Sequence, residues 1–258
     1  MVEARLSDDY VRQGHTRFLA ERIMDHAPFD QRRYPVLTVR DGYREWAESY
    51  EDTVQDEMDL RLLSRIETVD WARSRRALDL ACGTGRIGVW LRGRGVQRVE
   101  GLDFTPEMLA QAESRGVYER VALADMLETG LPSSSYDLVV VVLADEHLSD
   151  LAPLYREAAR LAEPSGVFLL VGYHPHFLMN GIPTHFHRRD GEPLTIESHV
   201  HQLSDHVKAA RRAGWSLAEM DEGLVDDAWI AKKPKWRKYR FHPVSFSMVW
   251  RRSADRSS

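Results

Sequence analysis

Residues 77–85 read Ala77-Leu78-Asp79-Leu80-Ala81-Cys82-Gly83-Thr84-Gly85, and a second edge follows as Gly101-Leu102-Asp103-Phe104-Thr105-Pro106. Each is a short apolar run that stops at small or turn-forming residues ahead of a helical stretch. In the first, Gly83 and Gly85 let the backbone turn sharply and let a ligand approach closely before the helix containing Ile87 to Leu91. In the second, Thr105 suits an N-cap and Pro106 the first helical position, so the turn closes quickly into a helix. Two such strand-to-turn edges, side by side at the carboxyl end of a sheet, predict a nucleoside site.

The letters admit two nucleoside ligands. Gly83-Thr84-Gly85-Arg86-Ile87-Gly88 satisfies G-x-G-x-x-G, and Asp103 stands where a ribose-binding acid is expected, so an NAD-dependent oxidoreductase is one reading. Asp79 argues against it. An acid inside a strand is expensive to bury without a cationic or amide partner; an amino-acid ammonium would serve, whereas a pyrophosphate would be repelled.

Working outward, further motifs follow in order. They are Ala124-Asp125-Met126, Ser135-Tyr136-Asp137-Leu138-Val139-Val140, Leu143-Ala144-Asp145-Glu146-His147-Leu148, and the pattern of Ala158, Arg160, Leu161, Pro164, Gly166 and Gly172. Together with the two edges they resemble the class I S-adenosylmethionine-dependent methyltransferases, of the small-molecule kind found in ubiquinone and menaquinone biosynthesis. The resemblance covers residues 43–172. It implies a Rossmann-like α/β fold of seven strands, mostly parallel, with helices on both faces and an antiparallel last strand. It implies S-adenosyl-L-methionine as cofactor, with the turn of Ala81, Gly83 and Gly85 near the methionine moiety and Asp79 facing its ammonium. Asp103 would meet the ribose hydroxyls, Phe104 and Met126 would flank the adenine, and Asp125 would meet its amino group. Met108 and Leu143 complete the expected cofactor set. The stretch 43–50 resembles the helix that closes over the sulfonium, with Tyr43 its first candidate, since aromatic faces attract such a cation; Trp46 and Tyr50 read equally as core aromatics.

Composition agrees with one large core. The chain has 258 residues, 43% of them hydrophobic, a formal charge of −5 and a single cysteine. Bulk charge gives no attraction to nucleic acid or anionic lipid. No apolar run approaches the length of a spanning helix, so a cytoplasmic protein acting on a small molecule is expected, with neither membrane nor nucleic acid as partner; a homodimer is compatible with this reading. One cysteine excludes an internal disulfide and leaves Cys82 as a small turn residue. Residues 1–75 read as a helical cap, with Trp46, Tyr50, Val54, Met58 and Leu62 as its apolar stripe, and residues 76–258 as the methyltransferase domain. Strands at 77–81, 98–102, 120–124, 137–143 and 166–172 alternate with helices near 86–93, 106–115 and 151–162, which predicts a parallel sheet covered on both faces.

Seven of the 11 histidines fall between 174 and 206. This segment follows the fifth core strand, is longer than a plain connection, and reads as an acceptor-site lid over 173–206. Tyr173, Phe177, His185 and His201 are its substrate-binding candidates. His147, His174 and His176 are candidate bases, because imidazole is suited to removing a proton from an acceptor as it is methylated. Each also reads as a packed pocket histidine. The His-x-His pairs bring metal to mind, but lack the acidic spacing of a ligand set, and no metal is expected. A dense basic run at 232–240, interleaved with aromatics, reads as a solvated hairpin surface rather than a nucleic-acid contact. The sequence reading is methyl transfer to oxygen or nitrogen of an aromatic or lipophilic small molecule; the alternatives are a non-catalytic cofactor-binding or regulatory protein and the oxidoreductase above.

Overall fold

The computed structural model describes residues 24–53, 58–181 and 184–252; Val54 and the first 23 residues of the expected cap lie outside them. The alternation of apolar runs and amphipathic stretches forms one seven-stranded sheet. Its parallel strands are β2 (Ala77–Leu80), β3 (Val99–Asp103), β4 (Arg120–Leu123), β5 (Tyr136–Val142) and β6 (Ala162–Tyr173), joined at one edge by β9 (Trp215–Leu224) and β10 (Pro243–Arg252). The order is β4-β3-β2-β5-β6-β10-β9, with β10 antiparallel to both neighbours. This is the expected architecture.

The central strands β2, β3 and β5 are buried on both sides because both sides are covered. Successive residues of β5 face opposite layers: Val139 and Val141 join the cluster around Tyr155, Phe168 and Trp250, while Leu138 and Val140 join Leu62, Leu63 and Leu91. Helices α3 (Met58–Arg65) and α4 (Arg86–Gly93) carry the second layer, and α6 (Ala152–Leu161) and α8 (Leu203–Arg212) the first. Strand order reverses between β2 and β5, and the five parallel strands all end at the same edge of the sheet.

The segment ahead of β2 departs from an all-helical cap. Pro35 keeps the chain extended, and Val36–Leu37 form a strand, β1, that pairs in parallel with β8 (Pro193–Ile196) of the insertion. Helix α1 (Val39–Trp46) follows, capped by Thr38, then a 3-10 turn at Ala47–Ser49 and the short α2 (Tyr50–Thr53). The tighter turn breaks the four-residue stripe: Trp46 stacks on Phe186 at 5.2 Å, whereas Leu62 packs in the core beneath the sheet. No helix among the described residues is long and apolar enough to cross a membrane.

Candidate active site

A cavity of about 260 Å³ opens at the carboxyl ends of β2, β3 and β5. It brings together Ala81 and Gly83 after β2, Asp103 and Phe104 after β3, Asp125 and Met126 after β4, and Leu143 and His147 after β5. Met108, from helix α5 (Pro106–Ser114), and Tyr43 and Tyr50 line it from the other side. Neither Asp79 nor Gly85 reaches it.

Gly83 sits at φ +53°, and a Cβ built on it would meet nothing within 4 Å, so the turn is an open cradle on the cavity side. Its N–H donates to Asp103 Oδ2 at 2.9 Å, while the Thr105 N–H donates to Oδ1 at 2.8 Å. These bonds link the two edges and aim one buried carboxylate along the cavity wall; burial pushes its pKa up and the N–H donors oppose the shift. Two strand ends terminate in left-handed residues that are not glycine, Ala81 at φ +65° and Leu143 at φ +54°. Leu143 is held there by its N–H, which donates to Val171 O at 2.7 Å. Such conformations persist where surrounding structure fixes them, and both lie on the cavity.

Asp79 and the other glycines have a different geometry. Tyr118 Oη donates to Asp79 Oδ2 at 2.6 Å, beneath the turn, and burial pushes the Asp79 carboxyl up to about 7. A Cβ on Gly85 would come within 2.9 Å of the Tyr118 ring, and one on Gly88 would overlap it. Two of the three glycines in the G-x-G-x-x-G pattern therefore make room for a tyrosine. The hydroxyl, rather than an ammonium, meets Asp79 because β2 turns that side chain toward α4 and away from the cavity.

The outer wall comes from α1 and residues 143–148. Tyr43 Oη donates to His147 Nε2 at 2.9 Å, and His147 Nδ1 donates to Glu197 O at 2.7 Å, which fixes the tautomer. Burial lowers the imidazole to about 4 and raises the phenol well above its ordinary value, so both are neutral at pH 7. Glu146 lies beside them, Oε1 3.6 Å from His147 Nε2. Burial and the adjacent Asp145 raise its carboxyl to about 8, and Thr184 Oγ1 donates to it at 3.2 Å.

Among the described residues, none from 173–206 lines the cavity. Helix α1 stands between: Phe186, Leu194 and Ile196 pack against Trp46, with Tyr43 and Val39 at the edge of that cluster. His174 caps the short helix α7 (Pro175–Met179), accepting from the His176 N–H, and bonds Glu222 at 3.0 Å; His176 meets His242 at 3.0 Å. Tyr173 stacks on Phe177 at 5.6 Å, and Phe177 on Trp236 at 5.7 Å. Arg32 Nη1 donates to the His185 ring, and His201 Nε2 donates to Leu148 O at 2.6 Å. His185 and His187, in β7 (His185–His187), share one face of the ribbon opposite buried Phe186, because side chains two apart in a strand point the same way. No group of three potential metal ligands occurs among the described residues. The basic run is no simple hairpin. It forms the end of helix α9 (Asp227–Lys232) and a 3-10 stretch at Pro234–Tyr239, whose Trp236 and Tyr239 pack with Trp229 and Phe177.

Comparison with known proteins agrees with this geometry. The sequence family described as a methyltransferase domain matches residues 78–170. The malonyl-[acyl-carrier protein] O-methyltransferase of Halorhodospira halophila is 30% identical over 206 residues, 77% of this chain and 65% of that protein. The demethylmenaquinone methyltransferase of Thermus thermophilus is 33% identical over 106 residues, 39% of this chain and 48% of that protein. Residues 78–170 thus carry a methyltransferase domain. The chain spans less than two thirds of the length of these two relatives. The same fold occurs in an S-adenosylmethionine-dependent methyltransferase from Mesorhizobium loti, with a TM-score of 0.62 at 24% identity over 77% of this chain and 99% of that one. It also occurs in the DhpI–SAH complex, with a TM-score of 0.60 at 22% identity over 82% and 93%.

The cofactor of this methyltransferase family, S-adenosylmethionine, suits the donor set: a carboxylate at Asp103, apolar walls at Met108 and Leu102, aromatic rings at Tyr43 and Tyr50, and the open cradle at Gly83. Sequence reasoning missed Arg86, which lines the same cavity, and Tyr118. Position 86 was read only as a spacer in a glycine pattern, and nothing local marks a tyrosine that packs under a distant turn.

Proposed function

We propose that the chain transfers a methyl group from S-adenosylmethionine to an oxygen or nitrogen of a small, aromatic or lipophilic acceptor. The observation that carries this reading is one cavity in which the Asp103 edge and the neutral Tyr43–His147 pair face the same space. Bound there, the cofactor supplies an electrophilic methyl on its sulfonium. Asp103 would accept from the ribose hydroxyls and Asp125 from the adenine amino group, with Phe104 and Met126 flanking the ring. Gly83 and Ala81 would hold the methionine end.

Tyr43 and His147 would handle the proton. As the acceptor's O–H or N–H is methylated, its proton passes to Tyr43 Oη while Tyr43 gives its own to His147 Nε2, leaving an imidazolium whose Nδ1–H stays on Glu197 O. The lowered pKa keeps that lone pair free at neutral pH. Alignment of the acceptor supplies much of the remaining rate. The name of the Halorhodospira relative, an O-methyltransferase, supports oxygen as the acceptor atom.

Calorimetric titration with S-adenosylhomocysteine, followed by mass-spectrometric detection of methylated products across a panel of phenols, carboxylic acids and amines, tests the reading. Binding with product is expected. Binding without product across the panel would favour a cofactor-holding, non-catalytic protein; stabilisation by NAD(H) and none by S-adenosylhomocysteine would restore the oxidoreductase.

A further inference from the structure

The 3-10 turn that follows β5, Asp145–His147, carries an acid directly behind the Tyr43–His147 pair. Glu146 is buried, its Oε1 lies 3.6 Å from His147 Nε2, and Thr184 Oγ1 donates to the same oxygen at 3.2 Å. Its Oε2 is buried with no hydrogen-bond partner among the described residues. Asp145 on its own turn, Tyr43 from α1 and Tyr50 from α2 also face it, and His147 is faced in turn by Asp145 and His199. No Lys or Arg pairs with Glu146 among the described residues. The insertion fixes both neighbours, since the His199 N–H donates to Glu146 O at 2.6 Å and His147 Nδ1 to Glu197 O. A buried acid with a bare oxygen and no basic partner costs stability, and such groups collect where chemistry uses them.

We propose that Glu146 is the terminal proton holder behind Tyr43 and His147: it releases its proton when a cation occupies the cavity, and takes up the acceptor's proton as the methyl group moves. The proposal rests on the reading that this cavity holds S-adenosylmethionine. His147 is a poor place for the proton to stay, because burial disfavours its imidazolium and its Nδ1–H meets only a carbonyl. Burial and Asp145 give the Glu146 carboxyl the greater proton affinity of the two. The acceptor's O–H or N–H breaks as its bond to methyl forms; Tyr43 Oη takes that proton and passes its own to His147 Nε2, and Nε2–H passes it to the turned Glu146 carboxylate. Before transfer the sulfonium and the carboxylate carry opposite charges, and afterwards both are neutral. The buried site therefore holds no net charge at either end of the reaction.

The test counts protons on the full chain, with no acceptor present, by calorimetric titration at pH 7 in two buffers of different ionisation enthalpy. S-adenosylmethionine and S-adenosylhomocysteine share every titrating group and differ by the charged methyl, so groups such as Asp103 cancel in the comparison. Wild type is expected to release roughly half to one proton more on binding S-adenosylmethionine than on binding S-adenosylhomocysteine. Glu146→Gln should abolish that difference, and Glu146→Asp, which keeps the acid, should retain part of it. Once an acceptor from the panel above yields product, Glu146→Gln should also lower kcat about tenfold or more with KM for S-adenosylmethionine within about threefold. Equal proton counts for the two ligands in the wild type overturn the proposal without any variant. A difference that survives in Glu146→Gln assigns the proton to another group and overturns it as well, as does an unchanged kcat. A wild type that binds neither ligand removes instead the cofactor reading on which the proposal rests.

Discussion

At the residue scale, the acids 79 and 103 illustrate how two similar carboxylates in neighbouring strands come to different ends. Asp103 faces the cavity and takes two backbone N–H groups, so Asp103→Ala should weaken S-adenosylhomocysteine by about tenfold, roughly 1.4 kcal/mol, with unchanged affinity counting against the site. Asp79 faces Tyr118, and its burial raises the folded-state pKa to about 7 from an ordinary 3.8. Between those values the folded chain keeps a proton that the unfolded chain releases, so stability falls as pH rises through the window and the cost is complete above it. Asp79→Asn removes that dependence. Its unfolding free energy relative to wild type, read from denaturant melts, should be higher at pH 8 than at pH 5 by on the order of 2 kcal/mol; a gap that does not change with pH would mean that Asp79 is ionised in the fold. For the Tyr43–His147 pair, His147→Ala and Tyr43→Phe should each lower turnover by about a hundredfold or more while leaving S-adenosylhomocysteine affinity within a few-fold. Parallel losses in both would make the pair structural.

At the scale of elements, the strand–turn–helix units were the legible part. Ala77 to Leu80 and Gly101 to Asp103 had the apolar run, the small turn residues and, at Thr105-Pro106, the helix start. Each of these signals is local, and the strands formed where they pointed. The partners of the turn were not legible, because they depend on contacts far along the chain. The Gly85 and Gly88 spaces are filled by Tyr118, which lies on the far side of β3 and α5 in sequence. A Gly88→Ala change should therefore cost about 1–3 kcal/mol by overpacking against that ring. In a Tyr118→Leu background the same change should cost distinctly less, read from denaturant melts of the four proteins of the cycle; equal costs would show that the glycine serves something other than the tyrosine. The histidines of 173–206 fall outside the cavity for a related reason, whereas His147 lines it. Composition marked 173–206 as chemically rich, but whether a side chain reaches a cavity depends on what packs between, and here α1 does. Strand β1 was invisible because two residues carry no periodicity until β8 lies beside them.

For the whole molecule, the packing suggests a different division from the one at residue 75. Leu62, Leu63, Ile66 and Val69 are buried in the layer that covers the sheet, together with Leu91 and Val249. Four such side chains amount to about 6–8 kcal/mol of apolar burial, comparable with the entire stability of a domain. We expect a chain starting at residue 76 to be unfolded by circular dichroism and one starting at 58 to retain a cooperative, if lower, melting transition; a folded 76–258 fragment would restore the original boundary. The same long-range view bears on reshaping the cavity. Leu143 stands on its wall with a left-handed backbone pinned by Val171. For an engineer seeking a new acceptor, that position has a short alphabet: glycine, asparagine and aspartate fit the backbone, while valine, isoleucine and threonine do not. Saturation libraries would waste most of their codons there and do better at Tyr50 or Met126, where the main chain imposes no such filter.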